Sequence, residues 1–213
     1  NGVYIALRVR DIAAATNGFR ALGFKGISVT IPHKVSVMGC LDEVDAMARE
    51  IGAVNTIVNR DGLLVGYNSD YLGAIKALTA AIDISGKTVV IIGAGGAARA
   101  IGFGIIRSGG RVVILNRSPE KGERLAEALQ ADFQPLAEVR MIEGQVLVNT
   151  TPVGMFPHAE QMPLEKNLLR PDLVVMDIIY NPLTTRLLSE AARTGCQTIN
   201  GLSMFVYQGA VQF

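Results

Sequence analysis

The chain has 213 residues, 49 % hydrophobic and 18 % charged, with 23 glycines and a formal net charge of +1. That composition builds a real core at a length of one large or two small domains. With no tryptophan and no basic excess, it offers no surface for nucleic acid. No run approaches the ~20 apolar residues of a membrane span, and no secretory leader pattern is visible.

Cys40 and Cys196 lie far apart, and neither they nor His33 and His158 have metal-ligand spacing. Free thiols in a reducing compartment, the cytoplasm, are expected, with no disulfide and no metal. The chain opens on Asn-Gly and an apolar run, and it ends in mid-pattern of a helix. It is therefore expected to be a piece of a longer chain.

In chain order, VYIAL (3–7) reads as a short buried strand. DIAAATNGFRAL (11–22) has helical spacing and stops at Gly23. GISVTI (26–31) is a strand, and residues 34–51 read as one or two helices with Asp42 as N-cap and Gly52 as the stop. AVNTIVN (53–59) and LLVGY (63–67) flank Asp61-Gly62, a strong hairpin signal. Ser69 caps a helix running to about Ala81. Residues 1–68 thus form a small α/β domain.

After Ser85-Gly86-Lys87 the register changes. TVVIIG (88–93), RVVILN (111–116), QVLVNT (145–150) and DLVVMDII (172–179) are continuous apolar runs, as strands buried on both faces require. Between them lie helices at 97–108 and 118–130, the second opened by Ser118-Pro119-Glu120. A helix at 184–195 closes on Gly195. The β-α-β-α alternation predicts a doubly wound parallel sheet, so the fold class is α/β with two domains.

Gly93, Gly95 and Ala98 give G-x-G-x-x-A between a strand and a helix, the context in which this weak motif acquires meaning. Gly93 allows the turn, Gly95 lets backbone approach a pyrophosphate, and Ala98 lets the helix pack closely. The unpaired N–H groups of residues 95–97 would face that anion at the helix N-terminus, and Gly93, Ala94, Gly95, Gly96 and Ala97 are the cofactor-binding candidates of this loop. The second strand ends in Asn116-Arg117-Ser118, with Lys121 one turn on. Enzymes that take NAD usually carry an acidic residue there for the ribose 2′-hydroxyl. Its replacement by Arg117 favours the 2′-phosphate of NADP, because a cation is unfavourable at a helix N-terminus unless an anion visits. Ser118 can add a hydroxyl.

The first domain must supply the acid or base. Thr30 and Lys34 bracket Pro32-His33, Asn55 interrupts an apolar run, and Asn68-Ser69-Asp70 opens a helix. Lys34 and Asp70 form a candidate pair for moving a proton on a substrate hydroxyl. An aspartate in a helix's first turn is also favourable to the dipole by itself, and lysines at loop ends are common on surfaces.

Seven segments in order resemble the shikimate dehydrogenase family: SVTIPHK (28–34), IGAVNTIVNRDGLLVGYNSD (51–70), IGAGGAARA (92–100), NRSPEK (116–121), NTTPVGM (149–155), DIIYNP (177–182) and GLSMFVYQGA (201–210). The resemblance covers almost the whole chain. It implies NADP-dependent, reversible reduction of 3-dehydroshikimate to shikimate, a step toward chorismate and the aromatic amino acids. Lys34 would be the catalytic lysine and Asp70 its partner. Thr30, Asn55, Asp70 and Gln208 would bind substrate hydroxyls, with Ser69 and Gln212 as weaker candidates and Tyr180 near the substrate. Thr151, Ile178, Gly201 and Met204 would surround the nicotinamide half of the cofactor.

The domains would be 1–82 plus 203–213 for substrate and 83–202 for NADP, with the substrate in the cleft between them. The family's Ser-x-Ser carboxylate ligands would lie upstream of VYIAL and its C-terminal helical tail beyond Phe213, and Ser28 stands where Asn is common. The partner is a small molecule, and fusion to another pathway enzyme in the parent chain stays open. Two alternatives remain, a quinate/shikimate dehydrogenase using NAD and a catalytically silent NADP(H)-binding module. A methylene-tetrahydrofolate dehydrogenase should lack the linked TIPHK and NSD segments.

Overall fold

The structure is a computed structural model and describes residues 2–213. The chain divides into two compact units, Asn1–Asn68 and Ser69–Phe213. No helix among the described residues is long and apolar enough to cross a membrane.

The first unit contains α1 (Ile12–Ala21), β1 (Gly26–Ser28), a 3-10 turn (Ser36–Cys40), β2 (Glu43–Val44), α2 (Ala46–Ile51), β3 (Thr56–Arg60) and β4 (Leu63–Tyr67). The strands form a mixed sheet in the order β1-β3-β4-β2. The predicted hairpin joins β3 to β4, with positive φ at both Asp61 (51°) and Gly62 (97°). That geometry matches the right-handed twist of the strands it connects. Asp11 caps α1 by accepting from the Ala14 N–H at 3.0 Å. Gly52 ends α2 in the left-handed region, as expected. Val29, Val37, Ala48, Val54, Ile57 and Leu64 make this unit's core.

Three expectations in this unit are corrected. Residues 3–7 form no strand, and Val3, Tyr4, Ile5 and Leu7 are exposed. Their apolar run expresses a preference for burial, but a strand also needs a neighbour to pair its backbone. The sheet order β1-β3-β4-β2 is completed without them. The predicted strand at 26–31 leaves the ladder after Ser28, although Val29 N–H still donates to the Asn55 carbonyl at 2.7 Å. Asp42 is not a helix cap. Its carboxylate accepts from the Leu64 N–H at 2.7 Å and from Arg20 at 2.8 Å, so the segment pairs with β4 and the helix starts later. Asp45 takes the capping role, accepting from Met47 N–H at 3.0 Å.

The second unit contains α3 (Asp70–Thr79), β5 (Thr88–Ile92), α4 (Gly96–Arg107), β6 (Arg111–Asn116), α5 (Pro119–Leu129), β7 (Asp132–Pro135), β8 (Val146–Asn149), β9 (Val174–Asp177), α6 (Arg186–Thr194), β10 (Gln197–Ile199) and α7 (Gly201–Gln212). Its six strands are all parallel, in the order β10-β9-β8-β5-β6-β7. The continuous apolar runs are explained by two covered faces. Ile91 joins a core with Ala77, Leu78, Ile101 and Ile105, while Val90 and Ile92 join one with Leu187, Leu188 and Ala191. The two edge strands, β7 and β10, are additions to the predicted set. Thr185 and Gly195 bracket α6 as cap and stop. Ser118 stands at the N-cap of α5 with Pro119 behind it, but its side chain makes no capping bond.

Arg20, and after it the Leu64 N–H, hold the Asp42 carboxyl below its ordinary range. A depressed folded pKa gives stability that is fully present above the unfolded value of about 3.9. That stability is lost as pH falls through the lower folded value. Asp42→Asn is expected to flatten the acid-side loss of stability below about pH 4. Its slope above that range should match the parent, as read by urea denaturation across a pH series.

Candidate active site

In a parallel sheet every strand delivers its C-terminal end to the same edge, and in open α/β sheets ligands bind along that edge. Here the order β10-β9-β8-β5-β6 places five candidate loops side by side. Gly201 follows β10, Ile178 follows β9, Thr151 follows β8, Gly93 to Ala97 follow β5, and Asn116 to Ser118 end β6 and open α5. At about 4.8 Å per strand the row spans roughly 19 Å. The strand order reverses direction between β5 and β8, the switch point at which such folds open a crevice.

Gly93 has φ 114°, a backbone state that side chains rarely adopt. A Cβ there would lie 2.5 Å from Thr150 Oγ1, which itself donates to the Ile92 carbonyl at 2.7 Å. Glycine is thus required twice over, by conformation and by space. Gly95 is different. It is the N-cap of α4 with extended backbone and no side-chain cap, and a Cβ there would meet nothing within 4 Å. The helix N-terminus opens onto free space, as a cradle for an anion should. At the end of β6 Asn116 Nδ2 donates to the Ser118 carbonyl at 2.8 Å, which fixes the turn. Arg117 and Lys121 are exposed.

The other half of the row is tied by side chains. Asn149, the last residue of β8, donates from Nδ2 to Asp177 Oδ1 at 3.1 Å and to the Val153 carbonyl at 3.3 Å. Its Oδ1 accepts from Thr151 N–H at 3.0 Å and Thr151 Oγ1 at 2.8 Å. Asp177, the last residue of β9, accepts from Ile179 N–H at 3.1 Å and Thr185 Oγ1 at 2.7 Å. Burial pushes the Asp177 carboxyl up, and the Thr185, Ile179 and Asn149 bonds oppose that. Ile178 N–H donates to the Asn149 carbonyl at 3.2 Å, and Gly201 N–H to that of Ile179 at 3.2 Å. A side chain at Gly201 would collide with the Ile178 carbonyl. The structure therefore brings Thr151, Ile178 and Gly201 together, with Met204 buried one turn into α7.

Helix α7 carries a second group. Gln212 Nε2 donates to Gln208 Oε1 at 2.8 Å and to Ser69 Oγ at 3.3 Å, and Ser69 Oγ lies 3.3 Å from Gln208 Oε1. Ser69 is thus placed at the start of α3 but is used sideways, toward α7, with no capping bond. Asp70 is the first residue of α3 and is buried. A Cβ at Gly73 would lie 2.7 Å from the Met204 carbonyl, so α3 and α7 meet closely. Tyr180 is half-exposed and its ring packs on Phe205 with centroids 4.5 Å apart.

In the first unit, backbone bonds gather Thr30, Lys34 and Asn55. Val29 N–H donates to the Asn55 carbonyl and Val54 N–H to the Lys34 carbonyl, both at 2.7 Å. The residues on either side of Pro32 are thereby pinned to one strand entry, and His33 N–H closes the turn onto the Thr30 carbonyl at 3.0 Å. Asn55 is 2 % exposed, and its Oδ1 accepts from Thr56 Oγ1 at 2.8 Å. His33 Nε2 lies 3.2 Å from the Val9 carbonyl.

Two family descriptions match the sequence. Residues 1–57 match the shikimate dehydrogenase substrate binding domain, and residues 75–154 match shikimate / quinate 5-dehydrogenase. The NADP(+) shikimate dehydrogenase of Geobacillus kaustophilus is 50 % identical over 211 residues, which cover 95 % of this chain and 76 % of that protein. The chain belongs to the shikimate dehydrogenase family.

Within that family, a shikimate dehydrogenase crystallised with NADP+ superposes with TM-score 0.85 at 43 % identity, over 94 % of this chain and 74 % of the other. The Thermus thermophilus shikimate 5-dehydrogenase, in complex with NADP(H) and shikimate, gives 0.85 at 36 % identity, over 94 % and 76 %. A bifunctional 3-dehydroquinate dehydratase/shikimate dehydrogenase of Arabidopsis thaliana is 41 % identical over the whole chain, which spans 38 % of that protein.

Asn149, Asp177, Thr185 and Phe205 were not singled out from sequence. The available signal for the first two was a polar residue closing an otherwise apolar strand, in QVLVN and in LVVMD.

The two loop glycines separate folding from binding. Gly93→Ala is expected to cost about 2–4 kcal/mol, from backbone strain plus overpacking against Thr150. Gly95→Ala should cost less than about 1 kcal/mol, the difference between Gly and Ala at an N-cap. Urea denaturation of the two variants reads both.

Proposed function

We infer that the chain is an NADP-dependent shikimate dehydrogenase that interconverts shikimate and 3-dehydroshikimate. The observation that carries the cofactor choice is the end of β6. Asn116-Arg117-Ser118 stands where a 2′-hydroxyl would need a carboxylate, and Arg117 and Lys121 are exposed at the start of α5. The residues fit a dinucleotide phosphate. Open space above Gly95 and the uncapped start of α4 suit its pyrophosphate, and the two cations suit the 2′-phosphate. The nicotinamide, when bound, accepts a hydride from the alcohol carbon or returns it to the ketone.

The chain's own residues handle the rest. Oxidation of the alcohol removes a hydride from carbon and a proton from oxygen, so negative charge develops on that oxygen. Lys34 takes the proton in this direction, and its ammonium gives the proton back in reduction. Asp70, Thr30, Asn55 and Gln208 bind hydroxyls of the substrate, with Ser69 at the start of α3 and Gln212 on α7 completing the amide–hydroxyl group and Tyr180 near the substrate. Thr151, Ile178, Gly201 and Met204 seat the reacting end of the cofactor. In this reading α3 and α7 are counted with the substrate residues. This is the functional division 1–82 plus 203–213 against 83–202. The unpaired Cys40 and Cys196 suit a cytoplasmic protein.

The test is shikimate-dependent reduction of NADP+, with NAD+ and quinate run in parallel. Turnover with shikimate and NADP+ is expected. Preference for quinate with NAD+ would overturn the role of Arg117, and NADP+ binding with no turnover on any pair would favour the silent module. In the active protein, Lys34→Ala should lower kcat by about 10²–10⁴-fold and leave NADP+ affinity nearly unchanged. Arg117→Ala should weaken NADP+ roughly 10- to 100-fold, the worth of a charge-assisted phosphate contact, and leave NAD+ binding alone.

A further inference from the structure

Asn149, Asp177 and Thr185 are each fully buried, yet none is assigned a contact with substrate or cofactor above. Buried amide and carboxylate groups are costly, and a sheet interior is at least as stable with apolar residues of similar size. The neighbouring strands show this. Asn149 is in register with Ile92 on one side and with Asp177 on the other, and Ile92 is in register with Leu115. At this level of the sheet β5 and β6, under the glycine loop and Arg117, are apolar, with the polar Gln134 only on the edge strand β7, whereas β8 and β9, under Thr151 and Ile178, are polar. The polar half is the one assigned to the reacting end of the cofactor.

The bonding explains what the pair does there. Asn149 uses its amide fully: two donors, to Asp177 and the Val153 carbonyl, and two acceptances, both from Thr151. Asp177 Oδ1 receives Asn149 together with Ile179 N–H, and Oδ2 receives Thr185 Oγ1. Thr185 in turn accepts from Leu188 N–H at 3.3 Å. The amide–carboxylate bond is the side-chain link between the ends of β8 and β9, beside the backbone bonds from Ile178 N–H to the Asn149 carbonyl and from Phe156 N–H to the Asn181 carbonyl, and Thr185 anchors it to the first turn of α6.

We propose that Asp177 is a positioning residue for hydride transfer: through Asn149 and the Ile179 amide its carboxylate fixes Thr151 and Ile178 as one rigid seat for the nicotinamide ring. The inference rests on the NADP-dependent reading above. A seat loosened by a fraction of an ångström leaves the phosphate contacts intact and degrades the reacting geometry, to which rates are steeply sensitive.

Asp177→Asn keeps an oxygen for Asn149 and Ile179 and turns an amide toward Thr185, whose hydroxyl can rotate to accept. The fold is expected to persist. Expected results are a kcat about 10- to 100-fold lower, a KM for shikimate within threefold of the parent (roughly, for an untouched substrate site), and unchanged affinity for 2′,5′-ADP, a probe of the phosphate half. The fluorescence of bound NADPH, which reports the nicotinamide environment without any substrate, should shift. Val175→Ala, a core truncation in the same strand, controls for stability alone and should lower Tm without these changes.

If Asp177→Asn fails to fold, Thr185→Val should give the same kinetic pattern, with Thr185→Ser restoring most of the loss. Parent-like kcat and NADPH fluorescence in Asp177→Asn, or the same kinetic loss in Val175→Ala, would overturn the proposal. A parent protein that binds NADPH but does not oxidise shikimate would overturn the functional reading alone, and the fluorescence comparison would still decide the role of Asp177.

Discussion

Every strand of the larger sheet runs in the same direction, and this constraint organises the candidate site. Parallel strands need crossover connections, so each returns through a helix or loop and arrives again at the same edge. That edge collects what the strands' interiors exclude: glycines, hydroxyls, an amide, a carboxylate and an arginine. Gly93, Thr151, Ile178, Gly201 and Arg117 belong to five loops that are distant in sequence and adjacent in the sheet order.

The two halves of that edge are held by different physics. Beneath the glycine loop the control is steric. Gly93 is confined between the backbone it must adopt and Thr150, and the space above Gly95 is left open. Beneath Thr151 and Ile178 the control is polar, through Asn149, Asp177 and Thr185. Steric control suits a phosphate group, which any set of N–H donors at the right distance will bind. In the reading proposed above, polar control suits the nicotinamide ring, whose placement must be fixed in orientation as well as position. The first unit achieves a similar result with backbone alone, where two 2.7 Å bonds pin the chain on both sides of Pro32 and so fix where Thr30 and Lys34 emerge.

Sequence was most informative where one signal had one structural solution. Runs such as VVII and VVIL are buried on both faces, and only a central parallel strand satisfies them. The glycine loop was legible because strand, G-x-G and helix follow one another directly. Asp61-Gly62 was legible because few dipeptides accept two positive φ values. Legibility failed where the outcome depended on a partner. VYIAL carries the same apolar signal as a true strand but joins neither sheet. Asp42 and Asp45 are equally good caps in isolation, and pairing with β4 decides between them. The edge strands β7 and β10, with sequences DFQP and QTI, take their conformation from their neighbours. Thr151, Ile178, Gly201 and Met204 were named through the family resemblance, since nothing in their chemistry marks them. Asn149 and Asp177 lay unremarked inside the predicted strands 145–150 and 172–179, because a hydrogen bond between residues 28 apart leaves no local trace.

The contact between Ser69 and Gln208 spans 139 positions of the chain, and the one between Ser69 and Gln212 spans 143. During synthesis, α3 leaves the ribosome long before the helix that lies against it exists. At about 5–20 residues per second, α3 waits on the order of ten seconds with Gly73 uncovered and Ser69 without these partners. The strands between can pair in that interval, since each finds its neighbour within shorter reach. The meeting of these two helices is therefore a closing event within this unit, made by α7 returning to α3. Such a contact carries a large loop-closure cost before it brings any gain. A growing chain would hold most of its sheet before α7 arrived, so the group around Ser69 and the bond from Gly201 N–H to the Ile179 carbonyl would be the late events of this unit.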